Sequence, residues 1–169
     1  MVAKLEKQGI VPGIKVDKGL KPLVGGLEHE TYCSGLDGLT ERASDYYARG
    51  ARFAKWRAVL QITDDGCPSK LSIRENAWGL ARYARSVQES GLVPIIEPEI
   101  LMDGSHSIEK TAAVQEEVIK EVYLACQVNG VLLEGTLLKP SMTVQGADSS
   151  TKADPQQVAE MTILSLIHI

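Results

Sequence analysis

The fold is read most directly from Ala51-Arg52-Phe53-Ala54-Lys55-Trp56-Arg57-Ala58-Val59-Leu60, taken together with the chain from there through Leu92-Val93-Pro94-Ile95-Ile96-Glu97-Pro98-Glu99-Ile100-Leu101. Both ends are short runs with β character. Between them Asp64, Asp65, Gly66 and Pro68 mark a turn, because these residues favour bends or positive φ. Ser72 and Glu75 then form an S-x-x-E pattern, predicting a capping box. Ala77, Leu80, Ala81, Ala84 and Val87 recur every three or four residues, the spacing of one buried helical face, and Gly91 ends the helix. The unit is strand, loop, helix, glycine, strand.

The same unit recurs on both sides. Ile10 to Asp17 is a first apolar run, followed by a long loop from Lys18 to about Asp37 and a helix over Leu39 to Ala48, with Asp37 as candidate N-cap and Gly50 as stop. After Leu101, Asp103-Gly104 turns the chain and Ser107 caps a helix. Its inner face reads Ile108, Ala112, Gln115, Val118, Ile119, Val122, Tyr123 and Cys126, and Asn129-Gly130 ends it. Val131 to Lys139 is the fourth run, and Asp154-Pro155 opens a last helix as cap and first-turn proline. Strands alternating with helices predict βαβ units in a parallel α/β sheet. The long loops all follow strands, where parallel folds build their sites. No glycine-rich phosphate loop follows any strand, which favours a closed barrel over a nucleotide-binding open sheet.

Each run closes on charged residues: Lys15 and Asp17, Lys55 and Arg57, Glu97 and Glu99, and Lys139. Residues i and i+2 of a strand share a face. The lead positions 15, 55, 97 and 139 are separated by 40, 42 and 42 residues, which predicts one ionisable group at an equivalent place in each unit. A charge closing a strand ordinarily just meets solvent; four successive strands ending in charge, three of them in pairs, beneath long loops point to a site. A lysine attacks a carbonyl only as the free amine, whose conjugate acid has a pKa near ~10.4 in water. Desolvation and neighbouring cations favour the amine, and a carboxylate must move protons. Lys139, Lys55, Arg57 and Glu97, with Glu99 beside it, could meet these needs for an anionic carbonyl compound.

The 169 residues are 44% hydrophobic and 24% charged, with net charge −4 and a pI near 5.4. That is a globular profile with no compositional support for nucleic-acid binding, which needs a basic surface. No run approaches the ~20 apolar residues of a membrane span, and Met1 to Ile10 lacks a secretory core. Cys33, Cys67 and Cys126 are odd in number and carry no metal-ligand spacing, nor do His29, His106 and His168. Free thiols and no metal site are expected.

Five segments resemble the class I, Schiff-base fructose-bisphosphate aldolases: Gly13-Ile14-Lys15-Val16-Asp17-Lys18-Gly19, Gly35-Leu36-Asp37-Gly38-Leu39, Phe53-Ala54-Lys55-Trp56-Arg57, Val93 to Leu101, and Leu133-Glu134-Gly135-Thr136-Leu137-Leu138-Lys139-Pro140. They stand in family order and spacing across about residues 8 to 162. The resemblance implies a TIM (β/α)8 barrel, of which this chain would hold about four βα units, strands three to six. It implies that Lys139 forms an imine with dihydroxyacetone phosphate or the keto-sugar. Glu97 would be the general acid/base with Lys55 assisting and Glu99 supporting the network. Arg57 would help bind the far phosphate and Lys15 would line the pocket.

No cofactor is implied. The partners are a sugar phosphate substrate and, at full length, a homotetramer, with neither nucleic acid nor membrane. The location implied is cytoplasmic, with a plastid one as the alternative. The family's active-site aspartate on an early strand, its Ser-Gly-Gly phosphate loop, a phosphate-binding arginine and a C-terminal tyrosine have no counterpart here. Residues 1–163 are therefore expected to be one partial barrel domain, and 164–169, which depart from the family pattern, a non-native tail.

Overall fold

The computed structural model describes residues 1–167. In chain order the elements are α1 (Val2–Glu6), β1 (Gly13–Lys15), β2 (Leu20–Pro22), β3 (Thr31–Cys33), α2 (Leu39–Ala48), β4 (Phe53–Leu60), α3 (Lys70–Glu89), β5 (Val93–Ile100), α4 (Ile108–Val128), a 3-10 turn (Leu133–Gly135), β6 (Leu137–Leu138) and α5 (Pro155–Leu166). Strands β1, β4, β5 and β6 form one parallel sheet in that order.

The order never reverses, and right-handed crossovers then put every connecting helix on the same face. Along β4, Ala54, Trp56, Ala58 and Leu60 point to that face and are buried. Pro94, Ile96, Pro98 and Ile100 do the same on β5. Against them lie Ala77, Leu80, Ala81, Tyr83, Ala84 and Val87 of α3, the face predicted from their spacing. Trp56 stacks on Tyr83 with ring centroids 5.4 Å apart, and the Tyr83 hydroxyl donates to Ala54 O at 2.7 Å. Such an aromatic pair adds about 0.5–1.5 kcal/mol beyond its burial. The other face carries Phe53, Lys55, Arg57, Ile95, Glu97 and Glu99. Gly13 faces Phe53 across the β1–β4 pair, and a Cβ there would lie 2.1 Å from the Phe53 ring.

Several local expectations need correction. The loop 18–37 contains the antiparallel hairpin β2–β3. Its polar, glycine-rich composition hid two three-residue strands. Asp37 does not cap α2; Gly38 does so with φ +63 and no side-chain bond, and Asp37 instead offers its carbonyl to Arg42. Helix α3 starts before Ser72: its N-cap is Ser69, whose hydroxyl accepts from Ser72 N. The reciprocal carboxylate is not Glu75 but buried Glu30. It accepts from Ser69 N at 2.5 Å, Ser69 Oγ at 2.7 Å and Leu27 N at 2.9 Å.

On α4, Ser107 caps as expected, but Thr111, Val114 and Ala125 are buried in place of Ala112 and Tyr123. The fourth run starts as a 3-10 turn, and only Leu137–Leu138 pair as strand. Asp154 caps α5 through Gln157 N. Residues 164–166 of the expected tail continue α5, with Ser165 buried and bonded to Gln115; His168 and Ile169 lie outside the described residues.

Candidate active site

The register places the charged residues differently from their equal spacing. Lys15 is level with Lys55, but Lys55 is level with Ile95, so Glu97 sits two residues further along its strand, level with Arg57. Lys55 and Arg57 do not finish their strand either, since β4 continues to Leu60. They point out of the sheet from within it.

Each cation of β4 therefore reaches diagonally to a carboxylate on β5. Lys55 Nζ stands 2.5 Å from Glu97 Oε2, an ion pair off the aligned hydrogen-bond direction. The Arg57 guanidinium donates to Glu99. From the far side Lys139 Nζ donates to Glu97 Oε1 at 2.5 Å. One carboxylate is thus shared by two ammonium groups, and the trio keeps one positive charge. Glu97 is 5% exposed by its side chain, Lys55 28% and Lys139 60%. Burial pushes the Glu97 carboxyl upward, but the Lys139 hydrogen bond and then the contact and charge of Lys55 outweigh it and hold it below its ordinary value.

A cleft of about 340 Å³ opens above this cluster, lined by Glu97, Glu99 and Lys139, by Ser141, Met142 and Val144 after them, and by the turn that follows β5, among it Met102 and Asp103. It lies past the C-terminal ends of the strands. Another hollow, of about 220 Å³ and lined by Tyr32, Asp37, Asn76 and Arg82 among others, holds none of the clustered residues.

Of the six side chains expected in the site, Glu97, Glu99 and Lys139 line the cleft, and Lys55 and Arg57 are tied to it by their ion pairs. Lys15 stands apart, paired with Asp17 on its own segment. Asp17, closed off from solvent, also accepts from Gly19 N and keeps Oδ2 buried without a hydrogen bond. Burial first, then the Asp17 charge, pushes the Cys33 thiol up to about 12, so Cys33 is no nucleophile at neutral pH. All three cysteines are free and buried. Among the described residues no group of three or more His, Cys, Asp and Glu could hold a metal ion, and no helix is long and apolar enough to cross a membrane.

The whole chain, residues 1–169, matches the family model described as glycolytic, fructose-bisphosphate aldolase class-I. The chain belongs to the class I fructose-bisphosphate aldolase family. It is 56% identical over 163 residues to chloroplastic fructose-bisphosphate aldolase 2 of Arabidopsis thaliana, covering 96% of this chain and 40% of that protein. With the cytosolic aldolase 4 of the same plant it shares 55% identity, covering 96% and 41%. A co-crystal structure of the Plasmodium falciparum aldolase with TRAP and a small-molecule inhibitor superposes with a TM-score of 0.95 at 52% identity, over 98% of this chain and 48% of that one. The chain thus spans a little under half the length of the relatives it matches. Its four parallel strands are an arc of the family's TIM barrel, and the inner-face cations and carboxylates lie on the side a closed barrel encloses.

Sequence reasoning overlooked Ser141, whose hydroxyl bonds to Ile100 two residues beyond Lys139. The available signal was Pro98, a residue of the facing strand that cannot donate, with a small hydroxyl residue standing two positions past Lys139. It also overlooked Glu30, an ordinary acidic loop residue in sequence whose partner Ser69 lies 39 positions away.

Proposed function

We propose that the protein acts as a fructose-bisphosphate aldolase, reversibly cleaving fructose 1,6-bisphosphate to dihydroxyacetone phosphate and glyceraldehyde 3-phosphate through a Schiff base on Lys139. The observation that carries this is the 2.5 Å contact between Lys139 Nζ and Glu97 Oε1 beneath an open cleft. It sets a primary amine beside a carboxylate able to take and return its protons.

In this reading Glu97 takes a proton from the Lys139 ammonium, the freed amine adds to the substrate ketone, and a proton moves from nitrogen to the new alkoxide to give a carbinolamine. Glu97 protonates the departing hydroxyl, and water leaves as the iminium forms. Cleavage then breaks the bond between the carbons α and β to the iminium carbon. The electron pair moves toward nitrogen as an enamine, and the proton of the β-hydroxyl passes to a base, for which Glu97 is at hand. Protonation of the enamine and hydrolysis release the second product and restore the amine. Lys55 holds Glu97 in place and supplies positive charge where oxygen becomes negative. Arg57, oriented by Glu99, serves the distal phosphate, where a planar cation suits the anion. Lys15, level with Lys55 on the neighbouring strand, lies outside the present cleft and is assigned to the wall of the pocket that a closed barrel would complete.

The remaining strands of a full-length aldolase supply the rest of the site. These residues taken alone are expected to show negligible turnover, with β1 and β6 left as unpaired edges. At full length a homotetramer is proposed, in cytoplasm or plastid, since relatives at almost equal identity are named for each compartment. The deciding experiment is borohydride reduction of the full-length protein with dihydroxyacetone phosphate. A stable adduct on Lys139 is expected; labelling of a different lysine, or of none, rules the assignment out.

A further inference from the structure

We infer that Ser141 is a positioning residue for the Lys139 amine, acting as a side-chain substitute for a backbone ladder that Pro98 interrupts. The inference rests on Lys139 being the Schiff-base lysine.

Strand β6 is only two residues long, and Lys139 follows it directly. Its backbone is held on one side by Lys139 N donating to Ile96 O at 2.8 Å. Residues 96, 98 and 100 of β5 alternate toward β6. Position 98 is proline and has no N–H to offer the Lys139 carbonyl. The pairing therefore stops at the residue whose amine must be placed most accurately.

It resumes through Ser141. The Ser141 hydroxyl accepts from Ile100 N at 2.9 Å and donates toward Ile100 O at 3.3 Å. One side chain so fills both bonding positions that a neighbouring strand would have used. From the helix side, Gln115 of α4, itself 2% exposed, donates through Nε2 to Ser141 O at 3.0 Å. Lys139 hangs between two fixed points, its own amide on Ile96 and the Ser141 hydroxyl on Ile100. These bracket Glu97 and Glu99 on the facing strand. Because β6 is so short, these backbone anchors set where Nζ meets Glu97. Displacements of about 1 Å at a reacting group can lower rate by about 100-fold.

The test compares full-length wild type with Ser141→Ala, Ser141→Thr and Gln115→Met. For Ser141→Ala, kcat for cleavage and the rate of borohydride-trapped adduct at Lys139 are expected to fall about 10- to 100-fold with KM changed by no more than about 2-fold. The pH profile of adduct formation should shift as the Lys139–Glu97 contact loosens. Ser141→Thr, which keeps the hydroxyl, should recover most of the rate, and Gln115→Met should show a smaller loss of the same kind. A Ser141→Ala protein that traps adduct at the wild-type rate overturns the inference. So does a loss that follows a lowered unfolding midpoint with the pH profile unmoved. If Ser141→Ala does not fold, Gln115→Met is judged by the same two readouts. No adduct in the wild type overturns the Schiff-base reading and this inference with it, whereas a wild-type adduct equalled by Ser141→Ala overturns the inference alone.

Discussion

Lys55 is level with Ile95 in the β4–β5 register, yet its ammonium meets the carboxylate of Glu97, two residues further along β5. Arg57 repeats the same diagonal to Glu99. Strands in a barrel run tilted to its axis, so residues at one height above the floor are offset along their strands. Long flexible cations close the remaining gap. A buried carboxylate thus receives charge from a neighbouring strand without either strand bending.

Glu97 sets an acid limit on stability. Its folded value lies below the ordinary 4.5, so its contribution is present in full above about that pH. It is lost as pH falls through the lower folded value. Urea unfolding of wild type and Glu97→Gln between pH 6 and 3 should show the wild-type advantage shrinking over that range. An advantage independent of pH would show that the ion pairs do not stabilise the fold.

The two lysines that share Glu97 should not be equivalent. Lys55 is the less exposed partner, and replacing it by Met is expected to cost about 1–3 kcal/mol of stability, as for removal of a partly buried partner of a charge. In these residues taken alone, Lys139→Met, with 60% of its side chain exposed, should cost no more than about 1 kcal/mol, and in the full-length protein it should abolish the borohydride adduct. Denaturant midpoints of both variants check the order; the reverse order contradicts the burial argument.

Glu30 joins the β2–β3 hairpin to the start of α3. Glu30→Gln should lower stability by about 2–3 kcal/mol, since hydrogen bonds to a charged acceptor are the stronger kind. Ser69→Ala should cost about 1 kcal/mol as a lost helix cap. Because the two share bonds, the double variant should lose less than the sum of the single losses. Strict additivity in a double-mutant cycle would mean they act separately.

Gly146 lets the loops after β5 and β6 touch. A Cβ there would lie 2.2 Å from Gly104 O, a backbone atom with no freedom to rotate away. Gly146→Ala is expected to cost about 1–3 kcal/mol by overpacking. It should also speed hydrogen exchange at Ala147 and Asp148, whose amides donate to Met102 O and Gly104 O. Unchanged exchange at those two amides would show that the loops accommodate a methyl group.

The alternation of strands and helices, the buried face of α3, the caps at Ser107 and Asp154, and the residue types that cluster at the site were all legible in the order of residues alone. These features arise from periodicity and from side-chain chemistry acting within a few residues. Which charge meets which was settled by the folded arrangement. Equal intervals of 42 suggested one level, whereas the register offsets Lys55 from Glu97 by two residues and leaves Lys15 with Asp17. The same arrangement brings Glu30 to Ser69 and lets Ser141 continue the edge of β5. Those contacts depend on strand stagger and on chain brought back from some 40 residues away, distances at which local pattern carries no information.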